Sequence, residues 1–193
     1  MTEPQIQTFK IILLGDSGVG KTTLLHRYIE DSFLPATGVT VGAELKIRNV
    51  EIEPGVQVKL RIWDTCGLES FRKIITVYFC GTDGFLLVFD VTDHRSFENI
   101  KHQWFPLVPE SSPCVLVGLK SDHKDRCVSR EEAEELAKEL GVSYVEASSV
   151  TGHNVKEAFE TLVRREEQPR RNQELHVQKY CFKVGNKCCI CYE

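Results

Sequence analysis

The segment Gly15-Asp16-Ser17-Gly18-Val19-Gly20-Lys21-Thr22 constrains this chain more than any other stretch. It follows Phe9-Lys10-Ile11-Ile12-Leu13-Leu14, a run with the length and composition of a buried strand, and precedes Leu24, Leu25 and Tyr28 at helical spacing. A strand, a glycine-rich turn and a helix start in that order are the context in which the P-loop spacing has physical meaning. The glycines let the backbone wrap so that successive N–H groups face a phosphate, and the helix N-terminus adds a favourable dipole. The expected cradle is Ser17, Gly18, Val19, Gly20, Lys21, Thr22 and Thr23, with Lys21 reaching the β- and γ-phosphates and Thr22 offering a hydroxyl to Mg²⁺. Alone, the motif establishes a nucleoside-triphosphate site and nothing narrower.

Further along, residues 41–50 and 56–63 read as two strands around the turn Pro54-Gly55, hence as a hairpin. Residues 84–90, 114–118 and 142–145 read as further strands. Helical spacing marks 96–105, 155–163 and a stretch opened by Ser129-Arg130-Glu131-Glu132 and closed by Gly141. Strands alternating with helices imply an α/β fold: a six-stranded, mostly parallel sheet with one antiparallel strand and helices on both faces. With 193 residues, 41% of them hydrophobic, the chain suits one core. Its longest strongly apolar run, residues 85–89, is far short of the ~20 needed to span a bilayer. No basic leader with an apolar core, and no Gly at position 2, supports secretion or myristoylation.

Charge and cysteine are unevenly spread. Residues 1–167 carry 19 Lys and Arg against 26 Asp and Glu, whereas residues 168–193 carry 5 against 2. Of the 8 cysteines, Cys181, Cys188, Cys189 and Cys191 crowd the end, and periodicity stops after Glu167. The expected division is therefore a globular domain over 1–167 and a flexible, basic, cysteine-rich tail over 168–193.

Added to the P-loop, Thr40-Val41-Gly42, Trp63-Asp64-Thr65-x-Gly67 and Gly118-x-Lys120-Ser121-Asp122 make the chain resemble a Ras-superfamily small GTPase over residues 8–166. Thr40-Val41-Gly42-Ala43-Glu44, Val88-Phe89-Asp90-Val91-Thr92 and the cysteine-rich end resemble the Rab family in particular. The resemblance implies the P-loop GTPase fold, GTP and GDP as ligands, and Mg²⁺ held by Thr22, Thr40 and Asp64. Lys21 and Thr40 take catalytic positions, Gly67 the γ-phosphate contact, and Phe33 either the guanine edge or a loop anchor. Asp122 would select guanine, because its carboxylate accepts from the N1–H and exocyclic amine that adenine lacks. Lys120 would lie along the base, and Ser148, Ser149 and Val150 would meet its O6 edge.

Three positions depart from that pattern. Leu68 stands where the family's water-orienting Gln is usual, so hydrolysis is expected to be impaired. Leu119 replaces the Asn of the guanine motif, and Val150 replaces a lysine beside the base, so nucleotide is expected to be held less firmly.

At the end of the chain, position 190 is Ile, so no CaaX box exists. Cys189 and Cys191 instead resemble the paired Rab cysteines that receive two geranylgeranyl groups, with a soft-metal clip or an unmodified tail as the alternatives. Disulfides are not expected for Cys66, Cys80, Cys114 and Cys127.

The implied function is a GTP/GDP switch in vesicle and membrane trafficking, on the cytoplasmic face of an intracellular membrane with a cytosolic pool. Effectors would bind loops 33–45 and 64–80. An exchange factor, a GAP and a GDP-dissociation inhibitor would be further partners, and nucleic acid would not. The alternative is a catalytically inactive nucleotide-binding scaffold. An ATP-using enzyme is disfavoured by Asp122 and by the absence of room for a substrate domain.

Overall fold

The structure, a computed structural model, describes residues 6–35, 38, 40–110, 112–172, 183–184 and 187–188. The apolar run after the N-terminus forms β1 (Gln7–Leu14), and Lys21 opens α1 (Lys21–Glu30) directly behind the glycine-rich turn. The hairpin follows as β2 (Ala43–Glu53) and β3 (Val56–Thr65), paired antiparallel from Ala43↔Thr65 to Glu53↔Val56. Past a short helix α2 (Arg72–Ile75), flanked by 3₁₀ turns, come β4 (Gly84–Asp90), α3 (His94–Asn99), β5 (Cys114–Leu119), α4 (Arg130–Leu140), β6 (Ser143–Glu146) and α5 (Val155–Asn172). The sheet order is β2-β3-β1-β4-β5-β6, and every pairing other than β2 with β3 is parallel. The expected sheet and its single antiparallel strand are both present.

Period-two alternation along β1 divides the core. Phe9, Ile11 and Leu13 face α1 and α5, meeting Leu24, Tyr28, Phe159 and Leu162. Ile12 and Leu14 face the other way, toward Ile75, Ile100, Trp104, Leu136 and Ala137 of the opposite layer. Strands buried on both faces read as continuous apolar runs, and Gly84–Asp90 is buried at all seven positions.

Two elements differ from expectation. The segment from 96 to 105 is not one α-helix: after Asn99 it passes into a π-turn at Ile100–Trp104 and a 3₁₀ turn at Phe105–Leu107. Helix α5 continues to Asn172, beyond Glu167 and through Pro169. Beyond α5 the described residues are two paired two-residue strands, Lys183–Val184 and Lys187–Cys188.

Parallel strands raise the C-terminal ends of β1, β3, β4 and β5 along one edge. The P-loop, Asp64, Asp90 and Leu119 therefore come together there, where ligands of open α/β sheets bind.

Candidate nucleotide site

At the P-loop, Gly15, Gly18 and Gly20 have φ of 152°, 84° and 106°, and the last two lie in the left-handed region that favours glycine. A side chain at Gly15 would also strike the Val88 carbonyl oxygen at 2.1 Å. Val19 turns its side chain into the core, 1% exposed, which leaves the loop backbone facing outward. Gly20 caps α1, its carbonyl accepting from the Leu24 N–H at 2.8 Å, and Thr23 is half-buried in the first turn. Ser17 is exposed on the loop's crest.

Lys21 runs back beneath this arch. Its Nζ donates to the carbonyls of Gly15 at 2.7 Å and Asp16 at 2.8 Å, and the residue is 5% exposed. Burial pulls its pKa down to about 8, against the opposing pull of Asp64 and Asp16. A buried ammonium whose two hydrogen bonds go to neutral carbonyls suits an anion carried in by a ligand.

Thr22, Thr40 and Asp64, widely spaced in sequence, converge. The Thr22 and Thr40 hydroxyls lie 2.9 Å apart, and Thr22 donates to Asp64 Oδ2 at 2.5 Å. Asp64 is 1% exposed, and its Oδ1 is buried without a hydrogen-bond partner among the described residues. Its pKa is raised, chiefly by burial, while the Thr22 hydrogen bond and Lys21 oppose the shift. Two hydroxyls and a carboxylate with a spare buried oxygen form a hard, all-oxygen donor set, which fits Mg²⁺ retaining some of its waters. When bound, Mg²⁺ neutralises phosphate charge at this point.

Gly67 is seated on the P-loop. The Ser17 N–H donates to its carbonyl at 3.0 Å, and a Cβ here would come within 2.4 Å of Asp16 C and Ser17 N. The Gly67 carbonyl is thus engaged by the P-loop itself. Leu68, next in line, is 38% exposed.

At the base end, β5 delivers Leu119 and Lys120. Leu119 is 1% exposed, and its Cδ1 would lie 3.3 Å from a Cβ on Gly20. Leu119 also shares an apolar cluster with Val19 of the P-loop, so hydrocarbon stands where the family's Asn is usual. Lys120, at φ 63°, spans loops rather than lying free: Nζ donates to the Gly18 carbonyl at 3.4 Å and pairs with Asp90 Oδ2. Asp90 is itself fixed by Thr92, whose N–H and hydroxyl donate to its Oδ1 at 2.8 and 2.7 Å. The sequence offered no sign of the Asp90 pairing, since 30 residues separate the partners.

Asp122 is exposed. Its loop is tied to the segment before α5, where the Ser121 N–H donates to the Ala147 carbonyl at 3.3 Å and the Ala147 N–H to the Gly118 carbonyl at 2.9 Å. Ser148 is buried and its Oγ accepts from the Thr151 N–H at 3.1 Å, Ser149 is half-buried, and Val150 is 52% exposed. Phe33 is 43% exposed.

The apolar stretch after Gly67 splits between packing and surface. Ile75 is 2% exposed and Tyr78 packs on Trp63 with ring centroids 5.1 Å apart, whereas Ile74 and Val77 are 54% and 70% exposed. Val41, in the other loop, is 88% exposed. Cys66, Cys114 and Cys127 form no disulfide, as expected. Cys80 is disulfide-bonded, against expectation. Cys189 and Cys191 also lie outside them.

Fold and site together define a P-loop nucleotide-binding domain with two loops gathered on its phosphate end. Comparison with known families matches residues 10–168 to the Ras family. The Ras-related protein SEC4 of Saccharomyces cerevisiae is 49% identical over 159 residues, covering 80% of this chain and 73% of that protein. The GTP-binding protein ypt2 of Schizosaccharomyces pombe is 49% identical over 160 residues, covering 80% and 79%. The Ras-related protein Rab-8B of Homo sapiens is 45% identical over 161 residues, covering 81% and 77%. The chain belongs to the Ras family of small GTPases, within its Rab branch. It is a GTPase that binds GTP and GDP with Mg²⁺ and acts as a switch in vesicle traffic. Effectors, exchange factors, GAPs and a GDP-dissociation inhibitor are its classes of partner, and its relatives act on intracellular membranes.

Proposed function

We propose that this GTPase turns over slowly and dwells in the GTP state. The observation that carries this is Leu68, a 38% exposed leucine next to the Gly67 that is seated on the P-loop. A hydrocarbon side chain there neither donates to nor accepts from a water, so the orienting role is empty. Intrinsic hydrolysis in this class is on the order of 10⁻⁴ s⁻¹ even with the Gln, and a GAP raises it about 10⁵-fold. Single-turnover hydrolysis of the natural chain beside Leu68→Gln tests the reading. The variant is expected to be faster by about tenfold or more, and equal rates would sink the idea.

The binding site extends the same reading. Lys21 and the P-loop backbone, Thr22 and Thr23 among them, hold the phosphates; Thr22, Thr40 and Asp64 hold Mg²⁺; and Asp122 and the Ser148–Val150 backbone read guanine, with Phe33 at its edge. Effectors dock on loops 33–45 and 64–80, where Val41, Ile74 and Val77 are exposed. Cys189 and Cys191 carry two prenyl groups and the basic tail adds attraction to anionic lipid, which places the active protein on the cytoplasmic face of an intracellular membrane with a cytosolic pool.

A second reading, a scaffold that binds nucleotide without cycling, draws on the apolar side chains at Leu68, Leu119 and Val150 together. GTP left intact by both the natural chain and Leu68→Gln would favour it.

A further inference from the structure

Outside the nucleotide contacts, three donors from three positions meet on one carboxylate. Asp16 accepts from Asn99 Nδ2 at 2.6 Å, from Trp104 Nε1 at 2.8 Å and from Arg72 Nη2 at 3.4 Å. Asn99 ends α3 and Trp104 ends the π-turn. That turn bonds i to i+5, as the Phe105 N–H does to the Ile100 carbonyl, and so brings residues five apart toward one side. Trp104 is fully buried, which makes it part of the fixed body. Arg72 belongs instead to the segment after Gly67. Its guanidinium lies 5.1 Å from the Trp104 ring centroid and donates to Gln103 Oε1 at 2.9 Å. Both members of the ion pair are largely covered, 13% exposed for the Arg72 side chain and 18% for that of Asp16.

The backbone around Asp16 closes a ring. Its carbonyl accepts from Lys21, and the next N–H, that of Ser17, holds the Gly67 carbonyl. Residues 67–72 are thus fastened to the P-loop at both ends, by backbone at Gly67 and by a charge-assisted bond at Arg72.

We propose that Arg72 is a positioning residue: it docks segment 67–72 onto the P-loop through Asp16, with Trp104 as a rigid back wall, and thereby selectively stabilises the GTP-bound state. Selectivity follows because the docked segment coincides here with Thr40 drawn onto Thr22, so both loops are closed on the phosphate end. Only a nucleotide with a γ-phosphate gains contacts from that closure, and a ligand shifts an equilibrium only by its differential affinity for the two states. The proposal rests on the GTP/GDP switch reading but not on the hydrolysis rate.

Release of fluorescent GDP and of a fluorescent non-hydrolysable GTP analogue, from the full chain in Mg²⁺, tests it. Arg72→Ala is expected to speed release of the GTP analogue about tenfold and of GDP less than about twofold, the size expected of one hydrogen bond to a charged group. Arg72→Lys should recover less than half of the loss, because an ammonium lacks the planar fork that reaches Asp16 and Gln103 while lying on the indole. In an Asp16→Asn background, Arg72→Ala should add little. If Arg72→Ala does not fold, Arg72→Gln keeps the stem on Trp104 and is read the same way. Equal acceleration of both nucleotides, no acceleration, or an undiminished effect beside Asp16→Asn would overturn the proposal. A natural chain that binds neither nucleotide would overturn the switch reading and the proposal with it.

Discussion

The phosphate end and the base end of the nucleotide site are carried by neighbouring loops on the same sheet edge, yet they have diverged in chemistry. At the phosphate end the groups that meet phosphate and metal are in place, Leu68 aside: Lys21 under the arch, three oxygens from Thr22, Thr40 and Asp64, and a spare buried carboxylate oxygen. At the base end Leu119 packs in the apolar cluster of Val19, Val150 is 52% exposed, and Lys120 is engaged by Asp90 and Gly18. Charge placed to meet phosphate and metal is present, whereas at the base loop only Lys120 hydrogen-bonds the P-loop and the Leu119 position offers hydrocarbon. An apolar contact keeps the loops together in the empty protein but adds nothing when the base arrives. The expected protein therefore recognises di- and triphosphates firmly and holds guanine less firmly than its fold allows.

The largest effect should come from the phosphate end. Lys21→Ala removes an ammonium buried there, and truncating a desolvated charge partner costs about 3–5 kcal/mol, more than a hundredfold in nucleotide affinity by titration. Next is Leu119→Asn in the empty protein. It places an amide at a 1% exposed core position and should lower thermal stability by about 1–3 kcal/mol, recovered when nucleotide supplies partners. That sign reversal between empty and loaded protein sharpens the contrast between the two ends.

The smallest effect lies outside both ends. Tyr28 is buried with its hydroxyl lacking a partner among the described residues, and burial pushes its pKa from 10.0 up to about 12. An unfolded tyrosine ionises near pH 10 and the folded one near 12, so this contribution to stability is complete below about pH 10 and is lost as the pH rises toward 12. Tyr28→Phe should change stability at pH 7 by less than about 1 kcal/mol and flatten the alkaline slope in denaturant titrations.

Much of this was legible in the sequence because its signals are local. The glycine spacing of the P-loop, the Pro54-Gly55 hairpin and the helix start at Ser129 are each set by residues within a few positions, and each appears as read. Pairings across the sheet edge were less visible. Asp16 with Asn99 and Trp104, and Lys120 with Asp90, depend on which strands become neighbours, and no spacing encodes that. The π-turn was hidden for another reason: Phe97, Ile100 and Trp104 fit an α-helical stripe as well as the observed geometry. In α5, helical spacing was legible over 155–163 and periodicity stops after Glu167, yet the backbone stays helical to Asn172.

The most direct test of the contrast is GDP release from the natural chain and from Leu119→Asn, each in Mg²⁺ and after chelation. The two-ended account predicts that chelation speeds release from both by about tenfold or more, because the metal ligands are intact, and that Leu119→Asn slows release about tenfold in either condition. Release that ignores chelation, or that is the same for the two proteins, would contradict it.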